Sequence, residues 1–230
     1  MNTTVHTIET VVLDLAGTTV IDDGLVVEAF TRAWDREQSH VDESQRSHAV
    51  QLVHDTMGQS KIDVFRQLLP EHAARSLNTA FENAYDELVA EGRCVPVPGA
   101  REVLEALKAE GRKVALTTGF ARRTADGILT SLGWHELADV TLTPAEAGRG
   151  RPAPDLNLTA LIRTGASSVV ALAVVGDTVS DVRSGVAAGA GLVVGVLTGA
   201  ETGDALRAAG AHAVLGSVVE LPDLLKRQGR

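Results

Sequence analysis

Five polar side chains have types and positions that suit the handling of phosphate. Asp14, Thr118 and Asp177 come at the ends of three apolar runs, Asp181 follows four residues after Asp177, and Arg151 lies in a proline-punctuated loop. In open α/β sheets, ligands bind beyond the carboxyl ends of the strands, so we expect these side chains to meet there. Two carboxylates four residues apart can converge on one side, and Mg²⁺ prefers one or two carboxylates together with water and substrate phosphate. The pattern therefore predicts a magnesium site next to a hydroxyl and a cation.

The turn that follows Asp14 is suited to an anion. Gly17 allows the chain to bend sharply, and Thr18 with the backbone amides after it can hold a negatively charged group. Each feature also has a structural explanation, since Asp14 can cap a turn and Asp177 can cap a helix whose dipole an exposed Asp181 complements. Their order along the chain, at successive strand ends, favours the interpretation as an active site.

A lysine stands at the predicted start of a helix in the segment from Met57 to Lys61. The positive end of the helix dipole opposes a cation at that position. On position alone, Lys61 is therefore interpreted as a solvated surface residue.

The elements that must position these residues alternate between strands and helices, which predicts a Rossmann-like α/β fold with a doubly wound parallel sheet. The region after the first strand has helical periodicity throughout, with breaks near Ser39, Gly58 and Pro70. We therefore predict a core formed by residues 1–21 and 96–230, with an inserted all-helical region at 22–95. The predicted strands are 11–14, 113–118, 139–142, 169–175, 191–197 and 213–215. The predicted helices are 25–38, 45–57, 62–69, 71–91, 100–110 and 155–164, with one that follows a turn beginning at Gly119 and ends near 132, one that has Asp181 in its first turn and ends near 188, and two that begin at 201 and 217.

Composition limits the partners and the compartment. The chain has 230 residues and a net charge of -9, without a Lys/Arg-rich run, which argues against nucleic acid or an anionic membrane as a partner. A small anionic substrate remains compatible with this composition, because local cations can outweigh the net negative charge. The single cysteine, Cys94, is predicted to be a buried packing residue, and the uncharged segment 185–200 is too short for a membrane span. Residues 1–10 do not resemble a signal peptide, so the expected location is cytoplasmic.

Taken together, these motifs resemble those of the haloacid dehalogenase-like hydrolase superfamily. The resemblance covers essentially the whole chain and implies a Rossmann-like core with a helical cap, formed by residues 22–95, that closes over the site. It implies that Asp14 attacks phosphorus and forms an aspartyl-phosphate. It also implies that Mg²⁺ is held by Asp14, the carbonyl oxygen of Ala16 and Asp177, with Asp181 in the first or second metal shell. Thr118 and Arg151 are then expected to bind the phosphoryl oxygens. The four motifs correspond to Asp14 through Thr19, to Thr118, to Arg151, and to Gly176 with Asp177 through Asp181.

Ala16 narrows the expected reaction. Most phosphatases of the superfamily carry an aspartate at this position, which protonates the leaving oxygen, whereas alanine followed by Gly-Thr-Thr is the pattern of the phosphonatases, which break a carbon–phosphorus bond. In that branch a cap lysine forms a Schiff base with the substrate aldehyde, and the segment from Met57 to Lys61 resembles the lysine segment. The resemblance reverses the first interpretation of Lys61 and implies that it is catalytic. It further implies substrate or phosphate binding by Gly17, Thr18, Met57 and Gly119.

Three positions depart from the phosphonatase pattern. Val64 and Phe120 stand where that branch has a histidine and a tyrosine, and no cysteine occurs around Leu25. His54 is one substitute for the missing proton carriers, although a lone helix histidine is more often structural or exposed. Two alternatives to a phosphonatase-like reaction on a small phosphonate therefore stay open: a phosphatase of a small phosphorylated metabolite, of the phosphoglycolate type, and a non-catalytic phosphate-binding protein. Related phosphonatases dimerise through the cap, so the resemblance adds a homodimer to the monomer as a possible state of this chain.

Overall fold

A computed structural model describes residues 7–38 and 42–228 of the chain. Its centre is a six-stranded sheet in the order β3-β2-β1-β4-β5-β6, in which all neighbouring strands are parallel. This is the strand order of doubly wound dinucleotide-binding folds, so the predicted fold class is confirmed. The strands are β1 (Thr10–Asp14), β2 (Lys113–Thr117), β3 (Val140–Leu142), β4 (Leu172–Gly176), β5 (Leu192–Val196) and β6 (Ala213–Leu215).

The sheet is covered on both faces, which explains why its central strands are almost continuously apolar. In β1, Val11 and Leu13 pack into one hydrophobic cluster, while Val12 packs into a second cluster. Asp14 is the last residue of this buried strand and pairs in register with Thr117, the last residue of β2. The chain order reverses between β1 and β4, where ligands bind in such sheets.

Of the five described helices between β1 and β2, four lie in the region that the sequence assigns to the cap. Three of these four share an aromatic cluster, in which the rings of Phe30, Phe65 and Phe81 follow one another at centroid distances of 5.6 Å. Phe120, from the loop after β2, enters this cluster against Tyr85 at 4.7 Å. The inserted helices therefore pack directly against a strand-end loop of the sheet. These helices are α1 (Leu25–Glu37), α2 (Glu43–Asp55), α3 (Lys61–Leu68) and α4 (Glu71–Ala90).

The remaining helices flank the sheet. They are α5 (Ala100–Ala109), α6 (Arg122–Leu132), α7 (Pro144–Ala147), α8 (Asp155–Thr164), α9 (Val179–Ala188), α10 (Gly203–Ala209) and α11 (Leu221–Gln228). No helix in the described ranges is both long enough and apolar enough to span a membrane.

The sequence predictions of the elements were wrong in a few details. Residues Val169–Ala171 form a 3-10 turn instead of the beginning of a strand, and Val218–Glu220 form another before α11. The short helix α7 was not predicted, because its four residues are too few for a periodic pattern. The turn predicted to begin at Gly119 leads into α6, which starts at Arg122, and the predicted break at Ser39 lies outside the described residues. Cys94 is buried, as predicted.

Candidate active site

Three aspartates converge at the carboxyl end of the sheet. Asp14 ends β1, Asp177 directly follows β4, and Asp181 lies in the first turn of α9. One carboxylate oxygen from each lies within 4.8 Å of the others, and all three side chains are buried. The parallel pairing of β1 with β4 brings their ends together, which is why residues more than 160 positions apart in the chain share one site.

Arg151 links two of these carboxylates. Its Nη1 donates to Oδ1 of Asp14 at 2.6 Å, and its Nε lies 2.9 Å from Oδ1 of Asp181. Its Nη2 donates to Oγ1 of Thr117 at 2.5 Å. The planar guanidinium supplies donors in several fixed directions, so one side chain can hold three partners. Arg151 is 5 % exposed, and the loop from Gly148 to Pro154 delivers it into the site.

Burial of several negative charges raises carboxyl pKa values at this site. Desolvation raises the pKa of Asp14 to about 7, against the opposing charge of Arg151. Burial also holds the pKa of Asp177 well above its ordinary value, and the charges of Asp14 and Asp181 add to this effect. Both results mean that the ionised carboxylates lack sufficient positive charge around them.

This donor set fits a hard divalent cation. Hard cations take carboxylate oxygens, and a divalent ion would supply the charge that the buried aspartates lack. The oxygens of Asp181 already have partners, since Oδ1 faces Arg151 and Oδ2 accepts from the backbone N–H and the hydroxyl of Thr178. Asp177 is held in the same way, because its Oδ1 accepts from the hydroxyl of Thr18 and its Oδ2 from the backbone N–H of Ala200. Hydrogen bonds and ion pairs therefore hold all three carboxylates in place around the point where a cation would bind.

The turn after Asp14 is built around Asp177. Gly17 has a φ of 92°, and a Cβ at this residue would lie 2.3 Å from Oδ2 of Asp177, so only glycine fits. The hydroxyl of Thr18 donates to Oδ1 of Asp177 at 2.9 Å. In the structure, these two predicted phosphate-binding residues position a carboxylate.

A small cavity of about 20 Å³ separates the inserted helices from the sheet at the aspartates. This volume is close to what a single water molecule requires, so the two parts are closed on each other. A Cβ at Gly119 would lie 2.3 Å from the carbonyl oxygen of Gln59, and one at Gly58 would lie 2.4 Å from Oγ1 of Thr178. The lining residues are Asp14, Ala16, Val26, Met57, Gly58, Lys61, Thr118, Gly119, Phe120 and Thr178.

Lys61 enters this cavity from the first turn of α3. Its side chain is buried, its backbone N–H donates to the carbonyl of Gly119 at 3.2 Å, and its Nζ lies 5.8 Å from the centroid of the Phe120 ring. Burial lowers the pKa of Lys61 to about 8, while the charges of Asp22 and Asp14 oppose this shift. The expectation of a solvated surface lysine, based on position alone, is therefore wrong.

The other predicted residues fall into two groups. Met57, Thr118, Gly119 and Ala16 line the cavity with Asp14 and Lys61. His54 does not: its side chain is 64 % exposed and faces a neighbouring cavity of about 350 Å³.

Sequence reasoning missed Thr117, which holds Arg151. Its only signal was its place beside Thr118 at a strand end, where successive side chains point to opposite faces. It also missed Asp22 at the start of the insertion, which lines the neighbouring cavity.

The arrangement agrees with comparisons to known proteins. Residues 8–189 match the description of a haloacid dehalogenase-like hydrolase. The chain belongs to this family. A phosphonoacetaldehyde hydrolase from Bacteroides fragilis is 32 % identical over 205 residues, which cover 76 % of this chain and 71 % of the relative.

Solved structures of hydrolases share the fold. A hydrolase from Pseudomonas syringae superposes with a TM-score of 0.83 at 26 % identity, over 95 % of this chain and 98 % of the other. A family hydrolase from Deinococcus radiodurans, solved with bound phosphate and sodium, has a TM-score of 0.68 at 27 % identity, with 96 % of each chain covered. The prediction of a hydrolase of this superfamily is thereby confirmed.

Proposed function

We propose that the protein is a Mg²⁺-dependent phosphonatase-like hydrolase that cleaves the carbon–phosphorus bond of a small phosphonate carrying a carbonyl group, such as phosphonoacetaldehyde. The observation that carries this proposal is the buried Lys61 amine in the same small cavity as Asp14. The similarity to a relative named phosphonoacetaldehyde hydrolase supports it. In this proposal residues 22–95 act as the cap that closes over substrate.

The lowered pKa of Lys61 supports a role as an amine nucleophile. With a pKa of about 8, about one molecule in ten has a neutral amine at pH 7, whereas an ordinary lysine has about one in 2,500. The neutral amine adds to the substrate carbonyl, and loss of water leaves an iminium between Lys61 and the former carbonyl carbon.

Asp14 then attacks phosphorus. The electron pair of the breaking carbon–phosphorus bond moves toward the iminium, which becomes an enamine, and the phosphoryl group is transferred to the carboxylate of Asp14. Splitting the reaction into two transfers is the advantage of a covalent intermediate. Thr118 and Arg151 are the groups that we expect to bind the phosphoryl oxygens as charge builds on them. Protonation of the enamine at carbon and hydrolysis of both adducts release the aldehyde and phosphate.

Asp14 and Asp177, together with the carbonyl of Ala16, are the groups that we expect to hold Mg²⁺. When bound, the ion screens the repulsion between the nucleophilic carboxylate and the anionic substrate. Ala16 is consistent with carbon as the leaving atom, because no acid stands there to protonate a leaving oxygen. General acid catalysis is worth about 10²- to 10⁴-fold, so a phosphate ester should be a poor substrate.

Release of inorganic phosphate tests the proposal. Wild-type protein with Mg²⁺ should release phosphate from phosphonoacetaldehyde, Lys61→Ala should lose this activity, and the surface variant Lys226→Ala should keep it. A panel of small phosphate esters is measured in parallel. Faster turnover of an ester, unchanged in Lys61→Ala, would refute the phosphonatase reaction.

A phosphatase of a small phosphorylated metabolite is the second candidate. Two apolar side chains favour it, because Val64 and Phe120 occupy positions where the phosphonatase pattern has proton carriers, and both are buried. Absence of Mg²⁺-dependent turnover on both substrate classes would instead favour a phosphate-binding protein.

A further inference from the structure

We propose that Asp22, at the start of the inserted helices, is the acid–base group that exchanges protons with the Lys61 amine. This inference rests on the proposed function, since Schiff-base chemistry is what requires such a group. The ammonium of Lys61 must lose a proton before it attacks, and the hydroxyl of the resulting carbinolamine must gain one before it leaves as water. Val64 and Phe120 can do neither.

The local structure fixes Asp22 beside the cavity of Lys61. Its Oδ1 accepts a hydrogen bond from the backbone N–H of Val26 at 3.0 Å, and the side chain of Val26 lines the Lys61 cavity. Asp22 itself lines the neighbouring cavity of about 350 Å³, and Met57 borders both cavities. Asp22 therefore stands at the junction between the reacting centre and a space large enough for a small substrate.

The Phe120 ring lies near two polar side chains, those of Lys61 and Tyr85. Lys61 Nζ lies 5.8 Å from the Phe120 ring, and the ring of Tyr85 lies 4.7 Å from it. Asp22 contributes more than any other charge to stabilising the ammonium of Lys61, and it is also the charge that most raises the pKa of Tyr85 after burial.

Tyr85 adds an independent observation. Its side chain is fully buried, and its hydroxyl has no hydrogen-bond partner in the described part of the chain. A buried hydroxyl without a partner costs about 1–3 kcal/mol, so Tyr85 is a further polar group beside the Phe120 ring whose retention packing alone does not explain.

The other carboxylates that face Lys61 already have hydrogen-bond partners. Asp14 is held by Arg151, and Asp177 accepts from the Thr18 hydroxyl and from the backbone N–H of Ala200. Asp22 has one oxygen bound to a backbone N–H and a second that can take a proton. Its remaining charged neighbour is Asp23, which is exposed.

Asp22 alone can accept and return the proton that formation of the Schiff base requires. The carboxylate takes one proton from the Lys61 ammonium, the neutral amine adds to the carbonyl carbon, and the nitrogen's proton moves to the new alkoxide to give the neutral carbinolamine. The carboxylic acid then protonates the carbinolamine hydroxyl, which leaves as water while the nitrogen lone pair forms the iminium. Asp22 returns to its carboxylate form.

Asp22→Asn tests the role against the exposed neighbour variant Asp23→Asn. Asparagine keeps the oxygen that accepts from Val26, so both variants should melt like the wild type. The pKa of Lys61 is measured by competitive acylation as a function of pH, followed by mass spectrometry. The rate of Schiff-base formation is measured by borohydride trapping in the presence of phosphonoacetaldehyde. In Asp22→Asn the Lys61 amine should become free at lower pH, yet trapping at pH 7 should slow about 100-fold, in the range of general acid–base catalysis.

The two explanations for the role of Asp22 predict opposite changes in the rate of trapping. If Asp22 only stabilised the ammonium, its removal would increase the free amine and speed trapping, and that result would overturn the proposal. Trapping equal to that of Asp23→Asn would overturn it as well. Absence of an adduct in the wild type would instead refute the Schiff base itself, and with it the need for Asp22.

Discussion

Replacement of Gly119 by alanine should move the inserted helices away from the sheet without unfolding either part. The added Cβ would lie 2.3 Å from the carbonyl oxygen of Gln59, whereas Cβ atoms in real structures essentially never approach a neighbour within 3.0 Å. The φ of Gly119 is not positive, so alanine adds a close contact there without straining the backbone. The segment from Gln59 to Lys61 must therefore retreat by about 1 Å, a displacement of the reacting group that can cost about 100-fold in rate.

Water entering the enlarged cavity should also change the titration of Lys61. Burial is what lowers the pKa of Lys61 to about 8, so hydration should raise it toward the ordinary value near 10.4. Each unit of increase reduces the neutral amine at pH 7 about tenfold. The loss of rate should consequently be smaller at pH 9 than at pH 7.

The assay combines phosphate release from phosphonoacetaldehyde with competitive acylation of Lys61 as a function of pH. Gly150→Ala should behave in the same way, since its Cβ would lie 2.6 Å from Cβ of Ser60 on a different loop. Gly127→Ala is the matched control, because the nearest atom to its Cβ is Oδ1 of Asp86 at 3.6 Å, an ordinary contact. Wild-type rate and titration in Gly119→Ala would refute the argument that this contact positions Lys61.

Three further predictions concern the carboxylates and Ala16. Because a proton on Asp14 competes with Mg²⁺ below its pKa of about 7, calorimetry should find Mg²⁺ binding about tenfold weaker at pH 6 than at pH 8; equal affinities would argue against Asp14 as a ligand. Arg151→Met leaves buried carboxylates unpaired and should lower the free energy of unfolding in urea by about 3–5 kcal/mol, whereas Arg149→Met, which removes an exposed pair with Asp155, should cost about 1 kcal/mol or less; similar costs would contradict the assignment. Ala16→Asp should raise phosphate-ester hydrolysis about 100-fold by supplying the missing acid, and no gain would mean that the acid is not what limits ester cleavage.

The sequence was sufficient for the fold and for the meeting of the main polar residues. Asp14, Thr118 and Asp177 were predictable because each ends a buried apolar strand, and parallel strands bring their carboxyl ends to one edge of a sheet. The position of Arg151 followed only from the resemblance, since periodicity places a loop in the chain but not in space. Its partner Thr117 could not be distinguished from Thr118 without the register of the strands.

The contacts between the inserted helices and the sheet could not be read from the sequence. The environment of Lys61 depends on the approach of Gln59 to Gly119, two residues that belong to segments separated by about 60 positions. Helix-dipole reasoning gave a surface lysine because it considered only the lysine's own helix. Asp22 was overlooked for a similar reason: nothing in its local pattern indicates which cavity it faces.

Borohydride trapping is the measurement that tests the central claim most directly. Wild-type protein is incubated with phosphonoacetaldehyde and Mg²⁺, reduced, digested and analysed by mass spectrometry. The account predicts an alkylamine adduct on Lys61, increasing with pH through about 8, and no adduct at this position in Lys61→Ala. Turnover of phosphonoacetaldehyde without any adduct on Lys61 in the wild type, at an unchanged rate in Lys61→Ala, would contradict it.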